Sequence, residues 1–285
     1  MASVGNARAA IGVGAAAVAL MAIGVVALRA EPKSEGKRDV LPDFPTDGPF
    51  HYQVEYLGIT CGHMTLESRL ETYQGRPAYH VLMTASNSKF FNRIYRVDGR
   101  IESWVDAESM STIAYESDIT EKGRRKISTY RVDTVRGVVR AEKNGKETSL
   151  TYDGEPALDP MAYVYKGRVL AGIPGSTFKL NLLTDHGVIA TETRVTAIES
   201  FATPDGRRPL LRLQPATVDG EMFSRKGEFV YWIAPDAGRR LYRLDFKLSF
   251  GRLVAKYTGS AERSVDRRTP EEGAASPRDG PDDAG

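Results

Sequence analysis

Tyr242-Arg243-Leu244-Asp245-Phe246-Lys247-Leu248-Ser249-Phe250 alternates apolar and polar residues without a break. In an extended chain successive side chains point to opposite faces, so this stretch buries one face and wets the other. The same period of two stands near the other end of the chain's central region. There Phe50, Tyr52, Val54 and Tyr56 are separated by His51, Gln53 and Glu55. Shorter versions occupy 64–70, 78–84, 101–105, 127–132, 178–182, 188–198, 210–213, 229–233 and 253–257. Asp98-Gly99, Asn144-Gly145, Asp153-Gly154 and Asp205-Gly206 are dipeptides of tight hairpin turns. One segment reads as helix. It starts with Asp159 as N-cap and Pro160 in the first turn, and has apolar residues at 161, 164, 165 and 169. It falls between two runs of strand, 49–157 and 173–262. The expected fold is mainly β: a large antiparallel curved sheet, a sandwich or a partly closed barrel, with one short helix. Charges on the alternate face of the strands argue against an outer-membrane barrel.

Composition narrows the function classes. The 285 residues include 39 Lys and Arg against 37 Asp and Glu, a net charge of +2. So even a balance is not that of a nucleic-acid binder. A single cysteine excludes an intramolecular disulfide and a multi-cysteine metal cluster, and four histidines restrict metal and acid–base schemes further. No metal and no cofactor are expected.

The ends of the chain read differently from its middle. Residues 9–28, AAIGVGAAAVALMAIGVVAL, are uncharged and lie between Arg8 and Arg29. Twenty residues at ~1.5 Å rise per residue make a helix long enough to cross a bilayer. Val25-Val26-Ala27 is a small-x-small site of the signal-peptidase type. Residues 1–30 are therefore read as a transmembrane anchor or a signal peptide. A literal count of positive charges, Arg8 before the run against Arg29, Lys33, Lys37 and Arg38 after it, would leave the domain in the cytoplasm, but long domains cross regardless of flanking charge and the N-terminal position is that of an export signal; the expected location is periplasmic, exported, and inner-membrane-anchored if the segment is not cleaved. Gly12-Val13-Gly14 with Ala17 imitates a dinucleotide fingerprint, but no strand precedes it and no acid follows at the required distance. Charged, proline-bearing residues 31–48 read as a linker, 49–262 as the β-rich domain, and acidic 263–285 as a disordered tail.

Several residue sets carry candidate chemistry. Phe91, Tyr95, Trp104, Tyr163, Tyr165 and Trp232 are numerous for a charged β protein, and would line a hydrophobic groove between sheet and helix or fill the core. Cys61 and His63 are two apart and would share a face of a strand, but Gly58 and Gly62 bracket them and read as a turn. Asp98, Arg100, Glu102 and Asp106 fall on one strand face, where paired carboxylates would do acid–base work and alternating charges would simply be wet. Arg124-Arg125-Lys126, Arg207-Arg208 and Arg239-Arg240 sit at turns or strand starts, where they are solvated or meet anionic headgroups. No G-x-S-x-G elbow, phosphate loop or zinc-protease motif is present.

A sequence resemblance adds to these readings. The hairpin Tyr52-Gln53-Val54-Glu55-Tyr56-Leu57-Gly58-Ile59-Thr60-Cys61-Gly62-His63-Met64-Thr65-Leu66 is followed by Gly75-Arg76-Pro77-Ala78-Tyr79-His80 and by Ile94-Tyr95-Arg96-Val97-Asp98-Gly99. Asp159-Pro160-Met161-Ala162 and Trp232-Ile233-Ala234-Pro235-Asp236 come later. In this order and spacing they resemble the bacterial envelope family catalogued as domain of unknown function three-one-zero-eight, over about residues 49–258. The resemblance implies an exported β-rich protein and carries over no catalytic residue; Cys61 and His63 are not part of the family pattern. The expected function is a non-enzymatic envelope module that binds a hydrophobic or lipid-linked ligand, or assists envelope assembly. Its expected partners are the membrane through residues 9–28 and a lipid or lipoprotein. The alternatives are a structural or protein-interaction domain docking through a sheet edge and, more remotely, a hydrolase using the carboxylates.

Overall fold

The computed structural model describes residues 44–92, 96–184, 187–217, 228–248 and 251–260. The apolar run 9–28, most of the expected linker, the tail 263–285 and Tyr95 lie outside the described residues. Among the described residues no helix is long and apolar enough to cross a membrane.

The chain enters through 44–49 and builds β1 (Phe50–Tyr56), β2 (Ile59–Tyr73), β3 (Arg76–Asn87) and the one-turn helix α1 (Lys89–Asn92). There follow β4 (Val97–Asp106), β5 (Thr112–Glu121), β6 (Arg124–Asp133), β7 (Val138–Lys143), β8 (Lys146–Thr151) and β9 (Ala157–Leu158). Helix α2 (Pro160–Leu170) leads to β10 (Thr177–Thr184), β11 (Gly187–Thr203), β12 (Gly206–Thr217), β13 (Glu228–Ile233), β14 (Leu241–Leu248) and β15 (Gly251–Ser260). All fifteen strands form one sheet in the order β8-β7-β6-β5-β4-β3-β2-β1-β15-β14-β13-β12-β11-β10-β9. Two meanders thus meet where β1 pairs antiparallel with β15, and only β9 pairs in parallel, with β10. The sheet is mainly antiparallel and does not close: β8 is one edge, β9 the other.

The architecture is a single sheet, not a sandwich. It curls because α2 must be covered on all sides. Eight of the eleven α2 residues are buried, polar Arg168 among them, and Pro160, Lys166 and Leu170 are partly buried, so most of the helix surface is covered. At its start, Ser103 Oγ of β4 and Thr112 Oγ1 of β5 donate to Asp159 Oδ2 at 2.6 and 2.7 Å. Asp159 Oδ1 caps the helix by accepting from the amides of Met161 and Ala162 at 2.8 and 3.2 Å. On the opposite wing, Tyr163 Oη meets Thr191 Oγ1 and Thr193 Oγ1 of β11 at 2.8 and 2.9 Å. Thr191 donates its own proton to Leu180 O, so Tyr163 donates to Thr191 and accepts from Thr193. One helix holding β4, β5 and β11 can do so only if the sheet wraps around it.

The strand order also defines two ends. At the entry end lie residues 44–49 and the turns after β2, β4, β6, β11 and β13. At the far end lie the turns after β1, β5 and β7. Asn144-Gly145 makes the expected tight turn, with φ of 49° and 81°. Asp98-Gly99 does not: it lies within β4, paired with Ser86 and Ala85. Leu57-Gly58 turns instead at the β1–β2 hairpin, which carries positive φ at both positions although leucine is no turn former.

The linker reading of 31–48 does not extend to Phe44–Gly48. Phe44 is 2% exposed and stacks between Tyr79 and Tyr165, with ring centroids at 4.5 and 5.1 Å. Asp47 pairs with fully buried Arg168 through both carboxylate oxygens. These residues form a strap that fills the entry end from inside.

Two predictions follow from α2. A Cβ at Gly167 would collide with Tyr231 Oη, a fully buried hydroxyl with no hydrogen-bond partner. Gly167→Ala therefore destabilises the fold, although in an open helix it would add about 1 kcal/mol. Tyr231→Phe alone is near neutral or stabilising, since it removes an unsatisfied buried group. The double variant recovers the helix gain; urea midpoints of the three proteins check this.

Asp159 tests the cap by pH. Burial raises its carboxyl above the ordinary value, and hydrogen bonds from Ser103, Thr112, Ala162 and Met161 only partly offset that. The native state therefore keeps this proton to higher pH than the unfolded chain, whose value is about 3.9. Its contribution is fully present below the unfolded value and is lost as pH rises through the native one. The stability difference between wild type and Asp159→Asn falls across that window and is flat above it.

Candidate functional site

The concave face of the sheet does not close completely onto α2. A narrow crevice remains beside the helix's first two turns. Pro160, Met161, Val164 and Tyr165 form its helical wall, and Met64, Leu66, Met83, Phe229, Leu244 and Phe246 face them from β2, β3, β13 and β14. Tyr163, Leu182, Pro215 and Leu241 complete a lining without a charged side chain. Phe229 and Phe246 stack at 4.6 Å and stiffen one wall. Three methionines supply the opposite property, since their unbranched side chains adapt to irregular apolar shapes.

The enclosed space is about 30 Å³, and the void reaches about 590 Å³ when its part open to solvent is included. The enclosed volume is the one to compare with ligand cavities, because the larger figure counts bulk solvent. It holds a water molecule but not an acyl chain, and pockets for larger ligands occupy ~300–1,000 Å³. An occupant must therefore displace side chains, and the methionines are the ones that move at least cost.

The strap closes one end of this interior. Arg168 Nε donates to Arg239 O at 2.8 Å, Nη2 donates to Gly238 O at 3.3 Å, and the guanidinium lies 4.5 Å from the Tyr165 ring centre. Tyr165 Oη donates to Asp47 Oδ1 at 3.3 Å. Burial lowers the Arg168 pKa, but Asp47 and Tyr165 outweigh it and hold the charge on. Nε, Nη1 and Nη2 of Arg168 and the Tyr165 hydroxyl each have an acceptor within the chain, so the chemistry of this ion pair is already consumed by the fold.

Of the six expected groove residues, Tyr163 and Tyr165 line the crevice. Phe91 on α1 is half-buried against the core. Trp104 and Trp232 face the other side of the sheet. Trp104 stacks on His80 at 4.0 Å and on Tyr73 at 4.7 Å. Trp232 donates Nε1–H to Glu199 at 3.0 Å and packs beside Phe201, Arg212 and Arg243. The reason is the period of two: Ser103 and Tyr231 point inward to Asp159 and Gly167, so 104 and 232 point outward. The crevice residues on β2, β3, β13 and β14 carried a signal in sequence, as the apolar halves of alternating runs. Nothing there marked which of those faces stays incompletely filled.

The remaining sequence candidates separate. Cys61 and His63 lie in β2 rather than in a turn, and do not share a face. A bulge between Val54↔Gly62 and Glu55↔Thr60 leaves Cys61 as the extra residue, buried, while His63 is exposed. Asp98, Glu102 and Asp106 each have a separate partner on the outer face: Arg96, Arg100 with His80, and Ser109 with Arg76. Burial raises Glu102 and Asp106, but these hydrogen bonds prevail and hold both below the ordinary range. They do not converge in a cleft as the hydrolase reading requires. Among the described residues no group of three or more His, Cys, Asp or Glu could hold a metal ion.

Burial pushes the Cys61 thiol up to about 11, with the charge of Glu55 adding to it and a backbone hydrogen bond opposing it. At pH 8 it is expected to resist alkylation by iodoacetamide in the native protein and to react at once in denaturant. Rapid labelling of the folded chain would contradict this geometry.

Comparison with known proteins adds a family. No curated protein matches the chain. Among solved structures it is similar to a β-barrel-like protein of domain of unknown function DUF1849 from Brucella abortus, at 11% identity over 73% of this chain and 94% of that one, with a TM-score of 0.49. It is also similar to a DUF1089 family protein from Pseudomonas aeruginosa, at 7% identity over 74% and 95%, with a TM-score of 0.30. A third is described as an exported protein with a YmcC-like fold from Bacteroides fragilis: 10% identity over 76% and 97%, TM-score 0.29. The model of the family "Protein of unknown function (DUF3108)" matches residues 51–258, and the chain belongs to that family.

Proposed function

We propose that this protein is a non-enzymatic, exported module that takes up the acyl chain of a lipid or lipid-linked molecule between α2 and the concave face of its sheet. The observation that carries the reading is the crevice lining: fourteen residues, none charged, around a space the fold leaves unfilled. An apolar chain entering it leaves water without leaving a buried polar group unpaired. The apolar run 9–28 supports export, and holds the module at the membrane if it is retained.

A second reading has an observation of its own. Among the described residues edge strand β8 pairs only with β7, and nearly all its side chains are exposed, so its outer edge offers backbone groups for a strand from a partner. Lys146 and Glu147 weaken it by placing charges on a short edge.

A photoreactive fatty acid decides between them. With the full chain in lipid nanodiscs, labelling is expected on peptides holding 160–165 and 229–246. It should fall about tenfold in Met83→Gln/Met161→Gln, because two adaptable apolar contacts are lost. Circular dichroism establishes that the variant is folded. Labels confined to residues 1–43, or unchanged in the variant, would overturn the acyl-chain reading and leave edge docking.

A further inference from the structure

A second cavity lies outside the barrel-like interior, at the entry end. The tip of the β2–β3 hairpin and strands β5, β6 and β7 border a half-open cleft of about 290 Å³. Tyr73, Gln74, Arg76, Arg131, Asp133 and Arg140 supply its polar lining. We propose that this cleft holds the phosphate of an anionic lipid headgroup and turns the entry end of the domain toward the membrane. The proposal rests on the reading of residues 9–28 as a membrane segment and is independent of the crevice.

Arg131 and Arg140 stand directly opposite each other on β6 and β7. Like charges in that position repel, at a cost to the sheet. Neither has a carboxylate within 4.0 Å among the described residues; Arg131 donates only to the carbonyl of Tyr130, at 3.1 Å. Arg76 is held loosely, 3.9 Å from Asp106. The one acid in the lining, Asp133, lies 3.8 Å from Arg136 outside it. Three guanidinium groups therefore surround a space of headgroup size, with one carboxylate among them that has its own partner. A phosphate between Arg131 and Arg140 removes the repulsion and matches the planar donor pairs of arginine.

Placement identifies the source of that phosphate. Residues 44–49 enter the fold at this end, so residues 1–43 attach here. Fifteen residues separate Leu28 from Phe44. Even fully extended they span roughly 50 Å, which keeps this end near any bilayer that holds 9–28. The turn next to the cleft carries Val135 at 95% exposure, an apolar tip beside a basic cleft. That pairing suits the boundary between headgroups and acyl chains better than it suits bulk water.

The test uses the full chain in non-ionic detergent micelles doped with equal amounts of phosphatidylglycerol and phosphatidylcholine, read by native mass spectrometry. Wild type is expected to retain phosphatidylglycerol in preference. In Arg131→Gln/Arg140→Gln, two exposed positions where the fold is not at stake, that preference should fall by about tenfold or more. Raised salt should weaken it in the same direction. Equal retention of both lipids, or an unchanged preference in the variant, overturns the proposal. Displacement of the lipid by millimolar inorganic phosphate assigns the cleft to a free anion and overturns the membrane source. Fatty-acid labelling of the crevice should stay at the wild-type level in the same variant, so failure of either reading is separable from failure of the other.

Discussion

Arg168 is the group around which the interior of this protein is arranged. Its guanidinium is fully buried inside a curled sheet, where an unpaired charge would cost several kcal/mol. Asp47, two carbonyls of the β13–β14 turn and the ring of Tyr165 meet it on all sides. Those partners come from the strap, from the turn and from α2 itself. Each is held where the charge needs it, so one cation joins the N-terminal entry, the central helix and the far wing of the sheet. Burying such a pair is weak evidence for stability against an apolar alternative. Its evident effect is on register: the strap can seat Asp47 on Arg168 in only one position.

The asymmetry of the interior follows from that arrangement. At the C-terminal end of α2, the strap, Phe44 and the buried ion pair fill the space. At the N-terminal end, Asp159 uses its oxygens on the helix cap and on β4 and β5, and nothing equivalent to the strap fills the space beside it. The apolar crevice lies on that unfilled side. Its small volume and its three methionines set it apart from a wide, rigid pocket. The outer surface is different in kind. There charges pair locally along and across strands, as Arg125 does with Asp118 and Lys256 with Glu55. Arg131 and Arg140 depart from that rule.

Much of the fold was legible in the sequence. The strands at 50–56 and 242–248, the cap and proline at 159–160 and the turn at Asn144-Gly145 all follow from the local pattern, because each depends on neighbours within a few residues. Asp98-Gly99 misled for the complementary reason: glycine permits a turn but does not compel one, and pairing with β3 and β5 kept that segment extended. The candidate site was only half legible. Tyr163 and Tyr165 lie on the helix that was read as a helix. Trp104 and Trp232 read into the same groove because both faces of their strands carry large side chains, and alternation does not say which face is inside.

By itself the sequence determined the class of the protein: a β-rich domain with one capped helix in mid-chain, a single cysteine and a near-balanced charge. These depend on composition and on periods of two or a few residues. Only the tertiary structure decided that two meanders join through β1 and β15, that the sheet wraps α2, that Phe44 and Asp47 belong to the core, and that Arg131 faces Arg140. Asp47 and Arg168 are 121 residues apart, and no local pattern links them. Contacts at that separation arise when a curved surface closes on its contents, so they exist only once the chain has folded.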